Sequence, residues 1–93
     1  MPVQVTTAKP YILYREVTND PANCVANTCN AISLTVSGSL PTHAPEVWCK
    51  TLTTGLVLGR AFCTTAGTVI VPMCNVTTAD INQASSTFSV LIR

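Results

Sequence analysis

Alternation of apolar and polar residues is the clearest pattern along the chain, and it predicts β-strands. In residues 31–37, AISLTVS, Ile32, Leu34 and Val36 occupy one face and the hydroxyl side chains between them occupy the other. This pattern is typical of a strand that has one face toward a core and one toward water. No long window repeats apolar residues at helical spacing. Further strands are predicted at residues 11–18, 46–52, 56–65, 68–76 and 86–93.

Turn-forming residues separate these segments. Asn19-Asp20-Pro21 ends the first strand, and Ala66-Gly67 predicts a hairpin turn between residues 56–65 and 68–76. Fifteen Thr, eleven Val and five Ile make up a third of the chain, and β-branched side chains favour strands. The sequence therefore predicts an all-β fold, a small antiparallel β-sandwich or barrel of six to seven strands.

The first ten residues form a separate segment. Val3 and Val5 alternate with polar neighbours, but Pro2 and Pro10 bracket them and confine the segment to an edge or an arm. A frayed terminus and an arm that pairs with a neighbouring subunit both remain open. Because 93 residues suffice for one core only, we predict an extended N-terminal arm at 1–10 and a single β domain at 11–93.

Charge is scarce throughout the chain. Charged residues make up 10%, and the net charge is +1, whereas an ordinary soluble domain has about 25% charged residues. The small net charge excludes a nucleic-acid-binding arm and a disordered charged tail.

The uncharged stretch 61–79 contains a glycine, a proline and an asparagine, so we predict no membrane span. No secretory signal is visible, and we expect synthesis in the cytoplasm. Much of the surface is expected to contact other protein.

The five cysteines, Cys24, Cys29, Cys49, Cys63 and Cys74, are too irregularly spaced for a zinc site with paired knuckles. The loop from Cys24 to Cys29 is short enough to close, so this pair is the candidate disulfide. On the hairpin prediction Cys63 and Cys74 lie about 13 Å apart along the ladder, too far for a bridge. We expect the three remaining cysteines to be small buried apolar residues.

No catalytic or cofactor-binding group is predicted. The single histidine, His43, lies in a proline-flanked loop with only Glu46 nearby, which is weak support for a general base. The four acidic residues are scattered singly, so no carboxylate pair or calcium loop is present. Asn75-Val76-Thr77 matches a glycosylation acceptor, which we interpret as coincidence. We predict a protein that is not an enzyme and has no cofactor and no metal.

Residues 32–38, ISLTVSG, and 56–93, with the TVIV, NVT and TFSV segments and the GLV segment that begins at Gly55, resemble small β-sandwich structural proteins of tailed bacteriophages. The resemblance covers about half of the chain and rests on turns and alternation. It implies a non-enzymatic virion protein of the capsid decoration or cement type, located on the capsid exterior. Such a protein stabilises the shell by bridging subunits of the major capsid protein, and it is a homo-oligomer, with a trimer favoured.

Aromatic and apolar residues outside the predicted core are the candidate interface residues. They are Val3, Val5, Tyr11, Tyr14 and Trp48, and a core position is equally open for Trp48. The alternative function is a tail, fibre or adhesin module that binds a receptor or glycan through its loops. A small secreted disulfide protein whose signal has been removed is a third class, which Met1 disfavours.

Overall fold

The computed structural model describes residues 12–93, which form two antiparallel β-sheets. Val3, Val5, Tyr11 and the predicted arm at 1–10 lie outside the described residues. The strands are β1 (Leu13–Asn19), β2 (Cys29–Thr35), β3 (Pro45–Trp48), β4 (Leu56–Leu58), β5 (Phe62–Thr65), β6 (Thr68–Asn75) and β7 (Ser86–Ile92). Sheet 1 has the order β1-β7-β3, and sheet 2 has the order β2-β6-β4, with β5 also pairing with β6. The all-β prediction is confirmed.

The core lies between the inner faces of the two sheets. Phe88, Val90 and Ile92 on β7 face the core from sheet 1, and each is fully buried. Sheet 2 contributes alternate residues of β2, β4 and β6 to the same cluster: Ile32, Leu34, Leu56, Val69, Val71 and Met73. The alternation that predicted β2 therefore places its apolar side chains in the core, and the fold is a sandwich.

The predicted hairpin forms with the predicted turn. Thr65 pairs with Thr68 across Ala66-Gly67, and Gly67 has a φ of 86°, in the left-handed region that glycine adopts without a steric penalty. The strand predicted over 56–65 is divided into β4 and β5, however, and the pairing with β6 shifts register within β5.

Pro72 accounts for the division between β4 and β5. It lies in the middle of β6, the central strand of sheet 2, and it has no backbone N–H for a neighbouring strand. Its carbonyl still accepts a hydrogen bond of 2.8 Å from the Gly59 backbone N–H. A Cβ at Gly59 would lie 2.8 Å from Pro72 Cγ, so glycine permits this close approach. The gap in the edge strand falls where the donor is missing.

Candidate interaction surfaces

The disulfide joins Cys29 to Cys74, so the predicted Cys24–Cys29 bridge is wrong. Cys29 is the first residue of β2 and is directly opposite Cys74 of β6. The neighbouring pair is hydrogen-bonded, with the Asn75 N–H donating to the Thr28 carbonyl at 2.8 Å. Cys29 and Cys74 therefore occupy a non-hydrogen-bonded pair, where facing side chains approach most closely. The sequence prediction failed because it assigned Cys29 to a loop.

Cys24 takes no part in this bridge, because its side chain lies in the core. It forms an isolated antiparallel pair with Ile81, and its side chain is fully buried in the core. Cys63 is also a buried free thiol, and Cys49 is partly buried. The expectation of a buried apolar cysteine is thus confirmed for Cys63, only partly met by Cys49, and wrong for Cys74.

The outer face of sheet 2 carries an apolar patch, with the hydroxyl side chains of Ser33, Thr35 and Thr68 at the end nearer the β5–β6 turn. We call it the disulfide face, because the Cys29–Cys74 bridge lies beside Val57, which pairs with Cys74. Phe62 pairs with Ile70, which lies four residues from Cys74 along β6. Val57 and Phe62 are 47% and 44% exposed. The side chains of this apolar patch are Cys29, Ala31, Val57, Phe62, Ile70, Pro72 and Cys74, and none carries a charge.

The disulfide face had a signal in the sequence. In β6, Val69, Val71 and Met73 are buried in the core, and the residues between them are also only partly exposed. A strand that is apolar on both faces is typical of a sheet covered on both sides. Within residues 12–93, the inner face of sheet 2 is covered by sheet 1, and no element packs on the outer face.

The outer face of sheet 1 has a different chemistry. We call it the aromatic face, since it carries Tyr14 of β1 and Trp48 of β3, with ring centroids 6.2 Å apart and planes inclined by 36°. The Tyr14 hydroxyl donates to Glu16 Oε2 at 3.0 Å and lies 3.4 Å from Ser89 Oγ on β7. Trp48 is 41% exposed and Tyr14 is 38% exposed. The structure therefore brings these two predicted interface residues together, and Trp48 lies outside the core.

A groove of about 420 Å³ opens on the aromatic face. Trp48 and Tyr14 do not line it but flank it, since Trp48 pairs with the lining residue Ser89 and the Tyr14 hydroxyl lies 3.4 Å from Ser89 Oγ. Its lining comes from β1, from the start of β7, and from the loop segments that carry Lys50 and Ser85. Six of the eight lining residues have hydroxyl side chains, and the other two are Glu16 and Lys50.

Gln83 fixes one wall of the groove. Its side chain is buried, and its Oε1 accepts a hydrogen bond of 2.7 Å from the Thr53 N–H. Its Nε2 donates to the Thr51 carbonyl at 3.0 Å and to Ser86 Oγ at 2.8 Å. Gln83 thus ties the loop after β3 to the start of β7. Sequence reasoning missed this residue because a single glutamine in a turn-rich segment has no distinguishing pattern.

Other candidate residues have structural partners. His43 Nδ1 accepts a hydrogen bond of 3.1 Å from the Leu40 N–H, so the imidazole stabilises the turn formed by residues 40–43. Asn75 is 2% exposed, and its Nδ2 donates to the carbonyls of Cys24 and Ala79. That amide is therefore committed to the fold, which agrees with interpreting the glycosylation match as coincidence.

Residues 12–93 lack two further kinds of feature. Among these residues, no group of three or more His, Cys, Asp or Glu side chains is arranged to hold a metal ion. The same part of the chain contains no helix of the length and apolar character needed to cross a membrane.

The chain was compared with protein-family models, with curated protein sequences and with solved structures. None of the three comparisons finds a match. Function is therefore argued from the two outer faces of the sandwich.

Proposed function

We propose that the protein is a non-enzymatic virion component of the capsid decoration or cement type, which docks on subunits of the major capsid protein. The observation that carries this proposal is the disulfide face. Half-exposed Val57 and Phe62 lie on it next to partly exposed Ile70 and Pro72. Contiguous apolar surface of this kind marks interaction sites on soluble proteins, and its lack of charge removes the cost of burying an unpaired ion.

The disulfide face is also rigid. It lies on β-strands that pair across the whole of β6, and the Cys29–Cys74 bridge links two of them covalently. A surface that is already ordered loses little conformational entropy on binding, which increases the affinity available from a given area. A rigid sheet face is suited to a shell whose own subunits are fixed in place.

The cement role requires that one assembly contact several shell subunits together, because opening the shell must then break several interfaces. A homo-oligomer, with a trimer favoured, meets this requirement by presenting several copies of the disulfide face. The low charged fraction of 10% supports extensive protein contact. The predicted arm at residues 1–10 would add strand pairing with a neighbour.

The second candidate function is a tail, fibre or adhesin module that binds a receptor or glycan. One observation favours it: the hydroxyl-lined groove beside Trp48, to which the loops carrying Lys50 and Ser85 contribute. The two functions use opposite faces of the sandwich, so one protein can perform both.

Shell binding tests the proposal. We expect light scattering to give an oligomer, and we expect the protein to sediment with capsids that lack it. Val57→Lys should weaken this binding at least about tenfold, because an unpaired ammonium would be buried. Val25→Lys is the matched control, because Val25 is similarly exposed at 51% but lies outside the disulfide face.

Two results would overturn the proposal. One is a monomer that does not sediment with capsids. The other is capsid binding that Val57→Lys and Val25→Lys leave equally strong, since the disulfide face would then have no part in it. Thermal unfolding of both variants shows whether a loss of binding reflects a loss of folding.

A further inference from the structure

We propose that the groove on the aromatic face is a binding site for a neutral oligosaccharide, with Trp48 and Tyr14 as its stacking surface. This inference rests on the second candidate function and names its ligand class. It is tested on the isolated protein, so its failure and the failure of capsid binding are separate results.

The size of the groove suits a small ligand. Its volume of about 420 Å³ lies toward the lower end of the range of about 300–1,000 Å³ for small-molecule sites. Because it opens on the outer surface of a sheet, a chain of sugars can continue beyond it in either direction. A site for one or two sugar rings within a longer glycan fits this shape.

The lining matches the polar edges of a sugar. A hydroxyl side chain can both donate and accept, which suits the hydroxyl groups of a sugar. Six such side chains line the groove, Thr18, Thr51, Ser85, Ser86, Thr87 and Ser89. Ser86 and Ser89 are buried, and Ser86 Oγ is already bonded to Gln83 Nε2 and the Ala84 carbonyl, so the other four hydroxyl groups are the ones that can bind a sugar. Glu16 adds acceptors and Lys50 adds donors, and their opposite charges cancel. The lining therefore favours a neutral ligand over an anionic one.

The aromatic pair matches the apolar face of a sugar ring. Trp48 and Tyr14 are both about 40% exposed, and their inclined rings form a shallow platform next to Ser89. Aromatic rings with a polar edge suit ligands that have one apolar face and polar groups around it. A nucleic acid would also stack on such rings, but a net charge of +1 offers little to its phosphates.

The wall of the groove is ordered before a ligand arrives. The buried Gln83 amide holds the Thr51 segment against Ser86 through hydrogen bonds of 3.0 and 2.8 Å. The Tyr14 hydroxyl is held near Glu16 and Ser89. Pre-ordered side chains lose less freedom on binding, which matters for the weak affinities of single sugar sites.

Trp48 is the single tryptophan of the chain, so intrinsic fluorescence reports directly on the site. The probes are maltotriose, cellotriose, chitotriose and lactose, with sialyllactose as the anionic comparison, each titrated to millimolar concentration. We expect at least one neutral probe to change the emission with saturation. In NMR spectra, the shifted amides should cluster around Glu16, Trp48 and Thr87.

Matched variants make the test specific. Thr87→Val removes one lining hydroxyl with little change of shape and should raise Kd about five- to tenfold. Thr35→Val is the same substitution on an exposed position of sheet 2 and should leave Kd unchanged. Trp48→Ala, followed by NMR, should abolish binding.

The proposal is overturned if no neutral probe shifts these amides or the emission. It is also overturned if sialyllactose binds more tightly than lactose, or if Thr35→Val weakens binding as much as Thr87→Val.

Discussion

The Cys29–Cys74 disulfide closes a large loop, because its two cysteines are 45 residues apart in sequence. Replacing both with serine should cost about 4 kcal/mol of unfolding free energy, the value that the chain-entropy relation gives for a loop of this length. Burial adds little to this cost, since Cys29 is exposed and Cys74 only partly buried. A domain of this size has roughly 5–10 kcal/mol in total, so a large part of the stability depends on the bridge.

Urea unfolding measures this loss. With a slope of about 1–2 kcal/mol/M, the midpoint of Cys29→Ser/Cys74→Ser should fall by roughly 2–4 M. Cys49→Ser is the control, because it makes the same atomic change at a partly buried free thiol, and it should shift the midpoint by less than about 0.5 M. A loss below about 1 kcal/mol would refute the assignment of stability to loop closure.

Peptide mapping tests the connectivity independently. Trypsin cuts after Arg15, Lys50 and Arg60, which places Cys29 in peptide 16–50 and Cys74 in peptide 61–93. Without reduction, the Cys29–Cys74 bridge joins these two peptides, whereas a Cys24–Cys29 bridge leaves them separate. The link should persist in Cys24→Ser, and separate peptides from the unreduced native protein would contradict the structure.

Three further substitutions test the fold, each by urea unfolding. Asn75→Ala should cost about 2–4 kcal/mol, because it removes the hydrogen bonds from Asn75 Nδ2 to the Cys24 and Ala79 carbonyls and leaves the Thr77 N–H without its side-chain acceptor; a cost below about 1 kcal/mol would contradict this. Gly55→Ala should cost about 2 kcal/mol more than Gly67→Ala. Both glycines have positive φ, but the new Cβ meets Thr77 Cγ2 at 2.6 Å only at Gly55, and equal costs would refute the clash. Phe88→Ala should cost about 3–5 kcal/mol, since Phe88 is fully buried; a smaller cost would mean that the core closes around the gap.

Most of the fold could be predicted from local sequence. The alternation in β2 and the Ala66-Gly67 turn depend on neighbouring residues only, so both were predicted from the sequence and both are found. The exact pairing could not be predicted, because it depends on Pro72. Its missing donor separates β4 from β5 and changes which residues face each other across β6.

The two outer faces were less accessible to sequence reasoning. Tyr14 and Trp48 are 34 positions apart in the chain and meet only because β1 and β3 flank β7. Cys29 and Cys74 meet only because β2 starts two residues earlier than predicted. Strand ends are set by pairing partners distant in sequence, and local patterns do not encode them.

The different chemistry of the two outer faces explains how a chain with few charged residues can bind partners in a defined orientation. On sheet 1, the groove brings hydroxyl side chains together with Glu16 and Lys50 near Trp48. On sheet 2, β6 carries apolar residues on both faces, so the side away from the core gains free energy when it is covered. A sandwich built in this way favours one orientation on a shell, with sheet 2 inward and sheet 1 outward. In that orientation docking leaves the groove open, so Val57→Lys should weaken capsid binding without changing the Kd for an oligosaccharide. If one substitution changed both, the two functions would share a surface, and the assignment of opposite faces would fail.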